Sequence, residues 1–258
     1  FILLWFTNSI YRIKILGREN VPERGGALLV SNHLSFVDAL LLQASMDRPI
    51  RFIMYRGLYD KWYLKPFVQL FNVIPIASQS RPKELLKSLK TASESIQAGH
   101  VVCIFAEGQI TRTGQLLPFR RGFERIMKDV DALIVPVNLD GLWGSIFSFE
   151  REKFVWKMPR SIPYPVTVNY GVPMPSTTAP LEVRRAVQEL NTEAWALRKN
   201  RMKPIAAGFV QSARWHPFRT FMADAKTDHV SFGSALVKSL FLARRLKAVW
   251  GTQERVGI

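Results

Sequence analysis

The chain has 258 residues, of which 48% are hydrophobic, and it carries a formal net charge of +16. Such a surplus favours an anionic partner, and the seven Trp residues favour an anionic membrane over nucleic acid, because amphipathic aromatics concentrate at the lipid headgroup level. The single cysteine, Cys103, excludes a disulfide framework. It lies within the apolar run 101–105, which predicts a buried, inert thiol and fits a reducing compartment.

The N-terminal region predicts a membrane-proximal segment. The apolar run 1–6 is shorter than the roughly 18 residues that a membrane span needs, so we expect the end of a longer span or the start of an interfacial helix. Residues 10–16 alternate apolar with basic side chains, as a segment lying on a membrane surface does. The chain begins at Phe1 rather than Met and ends in Glu254–Ile258, a pattern typical of a turn entering a strand. We therefore expect both ends to continue in a longer protein.

Short apolar runs alternate with helical patterns through the first two thirds of the chain. The predicted strands are Ala27–Val30, Arg51–Met54, Val73–Ile76, Val101–Phe105, Leu133–Val137 and Tyr164–Tyr170. The predicted helices are Phe36–Met46, Lys61–Phe71, one from Pro82 to a stop at Gly99, Phe123–Lys128 and Leu181–Leu197. The third has an apolar face formed by Leu85, Leu86, Leu89, Ala92, Ser93 and Ile96. This alternation predicts an α/β fold with a mixed central sheet covered by helices.

A second module is expected at the C-terminal end. A basic run follows the helix Leu181–Leu197, and we place the domain boundary there, with one domain over residues 1–205. Residues 206–258 then form a Gly/Ser/Pro-containing lead-in and a helix over Phe232–Trp250.

The first chemical motif, Asn32–Asp38, directly follows a predicted buried strand. Histidine titrates near neutral pH, and a carboxylate that accepts from one ring nitrogen fixes its tautomer and stabilises the imidazolium. His33 is therefore a candidate general base, with Asp38 folding back from the first helical turn to orient it. Alternatively, Ser35 and Asp38 form only a capping box, and His33 is a hydrogen-bonded loop residue. The residue types leave both interpretations open.

The second motif, Phe105–Gly114, emerges at the end of another predicted strand, where ligand sites of open α/β sheets lie. It contains Glu107 and Arg112, with a glycine at Gly108 that permits close backbone approach. Arg120 and Arg121 follow just before a helix, where guanidinium groups and backbone amides suit phosphate. A solvated basic loop is the alternative interpretation.

Together the two motifs, Asn-His-x-x-x-x-Asp and Phe-x-Glu-Gly, resemble those of the glycerolipid acyltransferases of the lysophosphatidic-acid acyltransferase type. The resemblance covers about residues 10–200. It implies that His33 is the catalytic base, that Asp38 orients it, and that Glu107 with Gly108 helps to bind the acceptor's glycerol phosphate. It also assigns Arg81, which follows an apolar-Pro-apolar segment, to the acceptor phosphate, and Val135–Val137 to the walls of the site.

One position departs from this pattern. The family commonly reads Glu-Gly-Thr-Arg, whereas here Gln109 and Ile110 displace the arginine by two positions, so Arg112, Arg120 or Arg121 is expected to take over the phosphate contact. The sequence is similar to the branch that reacylates lysophospholipids, notably 2-acyl-glycerophosphoethanolamine. In that branch the acyltransferase is fused to an adenylate-forming acyl-carrier-protein synthetase, and residues 206–258 resemble the start of such a domain. The alternative for this tail is an amphipathic helix that packs on the main domain or lies on the bilayer.

The resemblance implies an O-acyltransferase that needs no cofactor. The expected partners are a lysophospholipid acceptor, an acyl-carrier protein or acyl-CoA donor, and an anionic membrane surface at the cytoplasmic face of the cell membrane. No nucleic acid is expected, because no stacking aromatic motif accompanies the basic residues. The four histidines are scattered without ligand spacing, so no metal site is expected. The alternatives are a lysophosphatidic-acid or other lyso-lipid acceptor, or a nonenzymatic basic membrane-binding module.

Overall fold

The computed structural model describes residues 9–76, 82–149, 163–199, 204–224 and 229–251. The chain separates into two compact units, Phe1–Leu197 and Arg198–Ile258. The boundary expected at residues 205/206 stays a prediction. The assignment of the second unit to an adenylate-forming domain stays a prediction.

The first unit is built on a seven-stranded sheet in the order β1-β7-β6-β2-β5-β3-β4. Its strands are β1 (Tyr11–Leu16), β2 (Ala27–Ser31), β3 (Ile50–Tyr55), β4 (Ile74–Ile76), β5 (Val101–Phe105), β6 (Leu133–Asp140) and β7 (Tyr164–Tyr170). Neighbouring strands run parallel except for β6 and β7, which are antiparallel. The predicted α/β class with a mixed central sheet is confirmed.

Helices connect and cover the strands. They are α1 (Asp38–Ala44), α2 (Arg56–Tyr59), α3 (Lys65–Leu70), α4 (Pro82–Gln97), α5 (Gly122–Met127) and α6 (Pro180–Lys199), with single 3₁₀ turns at Arg18–Asn20 and Trp62–Leu64. The helix predicted over residues 61–71 is therefore a 3₁₀ turn followed by α3, whose proline at the second position is compatible with a helix start. The other predicted helices of this unit are present.

The central strand β2 packs on both faces, which explains its continuous apolar sequence. All five of its residues are buried. Leu29 joins the core cluster that contains Leu41 of α1, whereas Leu28 joins the opposite cluster that contains Phe123 of α5. Truncating such a fully buried leucine to alanine costs about 2–5 kcal/mol, so β2 anchors the sheet on both sides.

The expectation that residues 10–16 lie on a membrane surface is wrong, because the segment forms β1 within the sheet. Tyr11 pairs with Tyr164 of β7 and is 4% exposed, whereas Arg12 and Lys14 face solvent. The apolar/basic alternation is the period of a strand with one face on the core. The predictions for residues 1–6 lie outside the described residues.

Helix α4 shows how a glycine ends a predicted helix. Its buried face includes Leu89, Ala92 and Ile96, whereas Leu86, predicted on that face, is 48% exposed. Gly99 adopts φ +87°, and its amide donates to the Ile96 carbonyl at 2.9 Å. Only glycine adopts this backbone conformation at little cost, so the chain turns here into β5.

The second unit contains α7 (Ile205–Trp215), the short strands β8 (Thr220–Met222) and β9 (Val230–Ser231), and α8 (Phe232–Trp250). The helix predicted over 232–250 is present, but α7 replaces the expected irregular lead-in. A Cβ at Gly208 of α7 would have no atom within 4 Å, so this glycine costs the helix only propensity, about 1 kcal/mol. The strand predicted at residues 254–258 lies outside the described residues.

The aromatic rings of Phe209, Phe221 and Phe232 cluster within the second unit, with centroid separations of 5.0, 6.1 and 5.0 Å. Across the described parts of both units, no helix is both long and apolar enough to cross a membrane.

Candidate active site

The two sequence motifs meet at one edge of the sheet. His33 follows β2 and Glu107 follows β5, and these strands are parallel neighbours in which Ser31 pairs with Phe105. The backbone amide of His33 donates to Oε1 of Glu107 at 2.8 Å. The carboxyl ends of parallel strands thus bring together residues that are distant in the sequence, as expected for an open α/β sheet.

His33 and Asp38 are in direct contact, with 2.8 Å between Nδ1 and Oδ2. The Asp38 side chain is fully buried, whereas the His33 side chain is 20% exposed. An ionised carboxylate only accepts hydrogen bonds, so a neutral His33 ring that donates from Nδ1 to Asp38 has its lone pair on Nε2. The contact therefore prepares Nε2 to take a proton from a bound group.

Asp38 also fixes the turn that carries His33. Its Oδ2 accepts from the backbone amides of Leu34 at 2.6 Å and Ser35 at 3.0 Å. Ser35 Oγ accepts from the Val37 amide at 3.2 Å, as in the serine half of a turn cap. Of the two hydrogen bonds of a capping box, only that from the Ser35 amide to Asp38 is present, because Ser35 Oγ binds the Val37 amide and α1 begins without a side-chain cap. The carboxylate–imidazole contact, which the residue types left as the other interpretation, is present.

The imidazole of His33 lies on an aromatic stack. Its ring is nearly parallel to that of Phe105, with centroids 4.1 Å apart and an interplanar angle of 14°. Phe105 in turn stacks on the buried Phe52, with centroids 6.5 Å apart. One face of the imidazole is thereby packed against the protein, which restricts the ring's orientation.

Asn32, the first residue of the motif, ties the loop to β6. Its Nδ2 donates to the Leu139 carbonyl at 2.9 Å, and its Oδ1 accepts from the Leu139 amide at 2.8 Å. Asn32 is 1% exposed, and its side-chain amide forms with Leu139 the pair of hydrogen bonds that a neighbouring strand would otherwise form. The sequence assigned no role to Asn32.

Glu107 joins two loops through both carboxylate oxygens. Oε1 accepts from the His33 amide, Oε2 accepts from the Leu117 amide at 2.8 Å, and the residue is 3% exposed. Burial raises the pKa of Glu107 above its ordinary value, and the two amide contacts partly oppose this shift. The geometry makes Glu107 a positioning residue for His33, and its predicted contact with the acceptor stays a prediction.

Thr111 organises the loop that follows Glu107. It is fully buried, and its amide donates to the His33 carbonyl at 3.0 Å. Its Oγ1 donates to the Gln115 carbonyl at 2.9 Å and accepts from the Gly114 amide at 3.1 Å. His33 is thus held on both sides of its peptide backbone by the Glu107 motif. The sequence did not single out this threonine.

Three candidate phosphate ligands, Arg112, Arg120 and Arg121, are exposed on this loop. The guanidinium carbon of Arg112 lies 6.0 Å from the ring centroid of Phe149. Gly108 has φ +69°, and a Cβ there would lie 2.5 Å from Nε of Arg120, so the glycine makes room for that side chain. Arg121 immediately precedes α5. The fourth candidate, Arg81, lies outside the described residues.

Arg184 of α6 supports the same loop, although the sequence did not indicate it. Its Nε donates to the Leu117 carbonyl and its Nη2 to the Leu116 carbonyl, both at 3.1 Å. Arg184 therefore fixes the backbone whose Leu117 amide binds Glu107. Its position within an amphipathic helix gave no signal of this contact.

The described residues contain no group of three or more His, Cys, Asp or Glu side chains arranged to hold a metal ion. Cys103 is fully buried, and burial raises the pKa of its thiol strongly, as expected for an inert core residue. Val135 and Val137 lie buried in β6 beside β2. The site as described therefore consists of the His33–Asp38 pair, its supporting loop and exposed arginines.

A protein-family model described as "Acyltransferase" matches residues 12–140, which is half of the chain, so the chain belongs to this acyltransferase family. The match includes the His33 and Glu107 motifs. It ends at Asp140, the last residue of β6.

Curated relatives carry names of one enzyme. The chain is 30% identical over 142 residues to the chloroplastic 1-acyl-sn-glycerol-3-phosphate acyltransferase LPAT1 of Arabidopsis thaliana, covering 54% of this chain and 39% of that protein. It is 26% identical over 168 residues to a probable 1-acyl-sn-glycerol-3-phosphate acyltransferase of Mycoplasma pneumoniae, covering 63% of this chain and 62% of the relative. The chain thus matches less than two thirds of the length of either relative.

A solved structure supports the fold. The crystal structure of the 1-acyl-sn-glycerophosphate acyltransferase PlsC from Thermotoga maritima superposes with a TM-score of 0.59. The two chains share 19% sequence identity, and the superposition covers 79% of this chain and 80% of the other. At this identity the likeness establishes the α/β architecture alone.

Proposed function

We propose that this protein is an O-acyltransferase that moves a fatty-acyl group from a thioester donor to the free hydroxyl of a lysophospholipid. The observation that carries the proposal is the 2.8 Å contact between His33 Nδ1 and Asp38 Oδ2 at the edge of the sheet where both motifs converge. A nonenzymatic membrane-binding module would have no need for a buried carboxylate that orients a partly exposed imidazole. Family membership supports the same reaction class.

In the proposed mechanism, His33 acts as general base through Nε2. It takes the proton of the acceptor hydroxyl while the oxygen attacks the thioester carbonyl, and Asp38 stabilises the resulting imidazolium. Collapse of the tetrahedral intermediate breaks the carbon–sulfur bond, and the thiolate leaves with the proton that His33 took up. The reaction yields an ester and a free thiol without a covalent acyl-enzyme.

The proposed acceptor is a lysophospholipid such as 2-acyl-glycerophosphoethanolamine, with its phosphate near Arg112, Arg120 and Arg121. The exposure of these side chains on the Glu107 loop supports the placement, because planar guanidinium groups bind phosphate through paired hydrogen bonds. The displacement of the arginine by Gln109 and Ile110 favours this acceptor over lysophosphatidic acid, because the sequence here resembles the branch that reacylates lysophospholipids. The names of the relatives favour lysophosphatidic acid, which is the competing candidate.

The donor and location complete the proposal. An acyl-carrier protein or acyl-CoA supplies the thioester, and the protein acts at the cytoplasmic face of the cell membrane. The net charge of +16 supports both an acidic carrier and an anionic lipid surface as partners. The second unit belongs in this proposal to a fused adenylate-forming synthetase, for which the resemblance of residues 206–258 is the support.

The deciding experiment is thioester-dependent acylation of a panel of lyso-lipids by wild type, His33→Ala and His100→Ala. His100 directly precedes β5, at the opposite edge of the sheet from His33, so its replacement is a matched control. Acylation by wild type and the control, but not by His33→Ala, is expected. The preferred lyso-lipid identifies the acceptor. Full activity of His33→Ala, or vesicle binding by wild type without acylation of any panel member, would contradict the proposal.

A further inference from the structure

The segment from Tyr55, the last residue of β3, to Leu70 contains α2, the 3₁₀ turn at Trp62–Leu64 and α3. It exposes large apolar side chains. Trp62 is 79% exposed, Leu70 is 69%, Tyr63 is 58% and Tyr55 is 55%. Single exposed apolar residues are ordinary on a protein surface, but several within one short segment mark an interaction site.

The segment is attached to the core by its other side. Val68 is 6% exposed, and Leu64 and Phe67 pack partly buried against the core cluster. The exposed Trp62 and Tyr63 therefore belong to a segment that also packs against the core. The rings of Trp62 and Tyr63 lie next to each other, with centroids 6.0 Å apart.

Charge identifies the kind of partner. Lys61 and Lys65 are exposed on either side of the two aromatic residues, whereas Arg56 lies 3.7 Å from the Glu84 carboxylate. Asp60 is the acidic residue of the segment, and it lies 3.9 Å from Arg56. Trp and Tyr flanked by lysines form the combination that favours the headgroup region of an anionic bilayer.

The segment lies at the edge of the sheet that carries His33. Strands β2, β5 and β3 are parallel neighbours, so the chain leaves β3 at the same edge at which His33 and Glu107 follow their strands. Phe52 of β3 connects the two regions, because its ring lies 6.1 Å from that of Phe67 in α3 and 6.5 Å from that of Phe105, on which His33 stacks.

We infer that residues 55–70 are a docking surface that binds an anionic lipid bilayer and turns the His33 edge of the sheet toward it. Trp62 and Tyr63 enter the headgroup region, and Lys61 and Lys65 contact lipid phosphates. The role in delivering a lyso-lipid to His33 rests on the proposed function, whereas the membrane contact does not. With this edge against the bilayer, an acceptor reaches the site without leaving the lipid phase completely.

The test measures sedimentation with phosphatidylcholine vesicles that contain or lack phosphatidylglycerol. The variants are the double replacements Trp62→Ser/Tyr63→Ser and Lys61→Gln/Lys65→Gln. The control is Phe241→Ser, which removes an exposed apolar side chain from α8 in the second unit. All replaced side chains are exposed, so the fold is expected to persist, and circular dichroism verifies it.

Wild type is expected to prefer the anionic vesicles. The aromatic pair contributes about tenfold or more to binding through buried apolar area, and each lysine contributes about fivefold, an effect that salt weakens. The control is expected to bind like wild type. Unchanged binding in both double variants would overturn the inference, as would a loss confined to Phe241→Ser, which would assign membrane contact to α8.

A parallel assay separates this inference from the proposed function. With a short-chain lyso-lipid dissolved as monomers and an acyl-CoA donor, the double variants are expected to match wild type, while acylation in vesicles falls. If wild type acylates no acceptor yet binds vesicles through residues 55–70, the docking surface stands and the proposed function fails. If binding is unchanged and only transfer from acyl-carrier protein falls, the surface belongs to the carrier and the docking inference fails.

Discussion

The backbone amide of His33 donates to Oε1 of Glu107 at 2.8 Å, across 74 residues of sequence. The bond joins the two motifs through a main-chain group, so the side chain of His33 stays available for chemistry. The second oxygen of Glu107 binds the Leu117 amide, and Arg184 holds the carbonyl of the same residue. A continuous set of polar contacts therefore runs from helix α6 to the turn that carries His33.

Replacing Asp38 by asparagine is expected to lower kcat by about 10²–10⁴-fold, because the amide no longer fixes the tautomer or stabilises the imidazolium. The measurement is steady-state acyl transfer at saturating acceptor and donor. Glu94→Gln is a suitable control, since Glu94 lies on α4 and pairs with Lys90 at 3.7 Å. A kcat within a factor of about two of wild type would remove Asp38 from the mechanism.

Glu107→Gln is expected to lower the free energy of unfolding by about 1–3 kcal/mol, because the amide offers one acceptor for two buried N–H groups. Transfer is also expected to slow, since the His33 turn loses a support. Chemical denaturation and kcat measured together test both effects. A variant as stable as wild type would show that the two amide contacts of Glu107 contribute little to the fold.

The same residue predicts a pH dependence. Burial raises the pKa of Glu107 above the ordinary value of 4.5, so in the interval above that value the folded state binds more protons than the unfolded state. The contribution of Glu107 to the free energy of unfolding therefore falls as pH rises through this interval. The stability of wild type relative to Glu107→Gln should decline as the pH rises above 4.5. An increase of this stability difference with pH would contradict the prediction.

Arg184→Met is expected to lower the free energy of unfolding by about 1–3 kcal/mol and to reduce kcat, because the carbonyls of Leu116 and Leu117 lose a charged donor. Arg184→Lys should restore part of both losses. Arg185→Met, an exposed neighbour on the same helix, is the matched control. Equal effects of the two methionine variants would show that helix α6, rather than the loop contact, is responsible.

The thiol of Cys103 is expected to resist alkylation in the folded protein and to react after denaturation, because it is fully buried and its pKa is raised. Acyl transfer by wild type should persist after treatment of the native protein with a thiol reagent, and acyl transfer by untreated Cys103→Ala should match that of wild type. The measurement is the mass increase with iodoacetamide, followed over time with and without denaturant. Rapid labelling of the native protein would show that this core strand opens.

The sequence predicted much of the sheet because its buried strands are short apolar runs bounded by glycine or polar residues. It did not predict the antiparallel pairing of β6 with β7, since strand order depends on contacts between distant residues. Segment β1 was misinterpreted because a strand with basic residues on its outer face and an interfacial segment both alternate apolar with basic side chains. Helix α7 was missed because Gly208 and the nearby prolines suggest irregular chain.

For the site, residue types were sufficient to select His33, Asp38 and Glu107 as candidates. His33 and Glu107 follow buried strands, and Asp38 begins the helix after β2. The contacts of Asn32, Thr111 and Arg184 were not predicted. Each of them binds a main-chain group on another element, and no sequence pattern records which carbonyl or amide lies opposite a side chain. The roles of Arg112, Arg120 and Arg121 stay predictions, because exposure shows access but not a ligand.

The location of His33 at the end of β2 has a consequence for the durability of activity. Strand β2 lies between β5 and β6 and is buried along its whole length. Amide hydrogens of such a central strand exchange with solvent mainly through global opening of the molecule. The geometry of the His33–Asp38 pair should therefore survive local fluctuations of the outer strands β1 and β4 and be lost only when the whole unit unfolds. We therefore expect inactivation by heat or denaturant to coincide with the main unfolding transition.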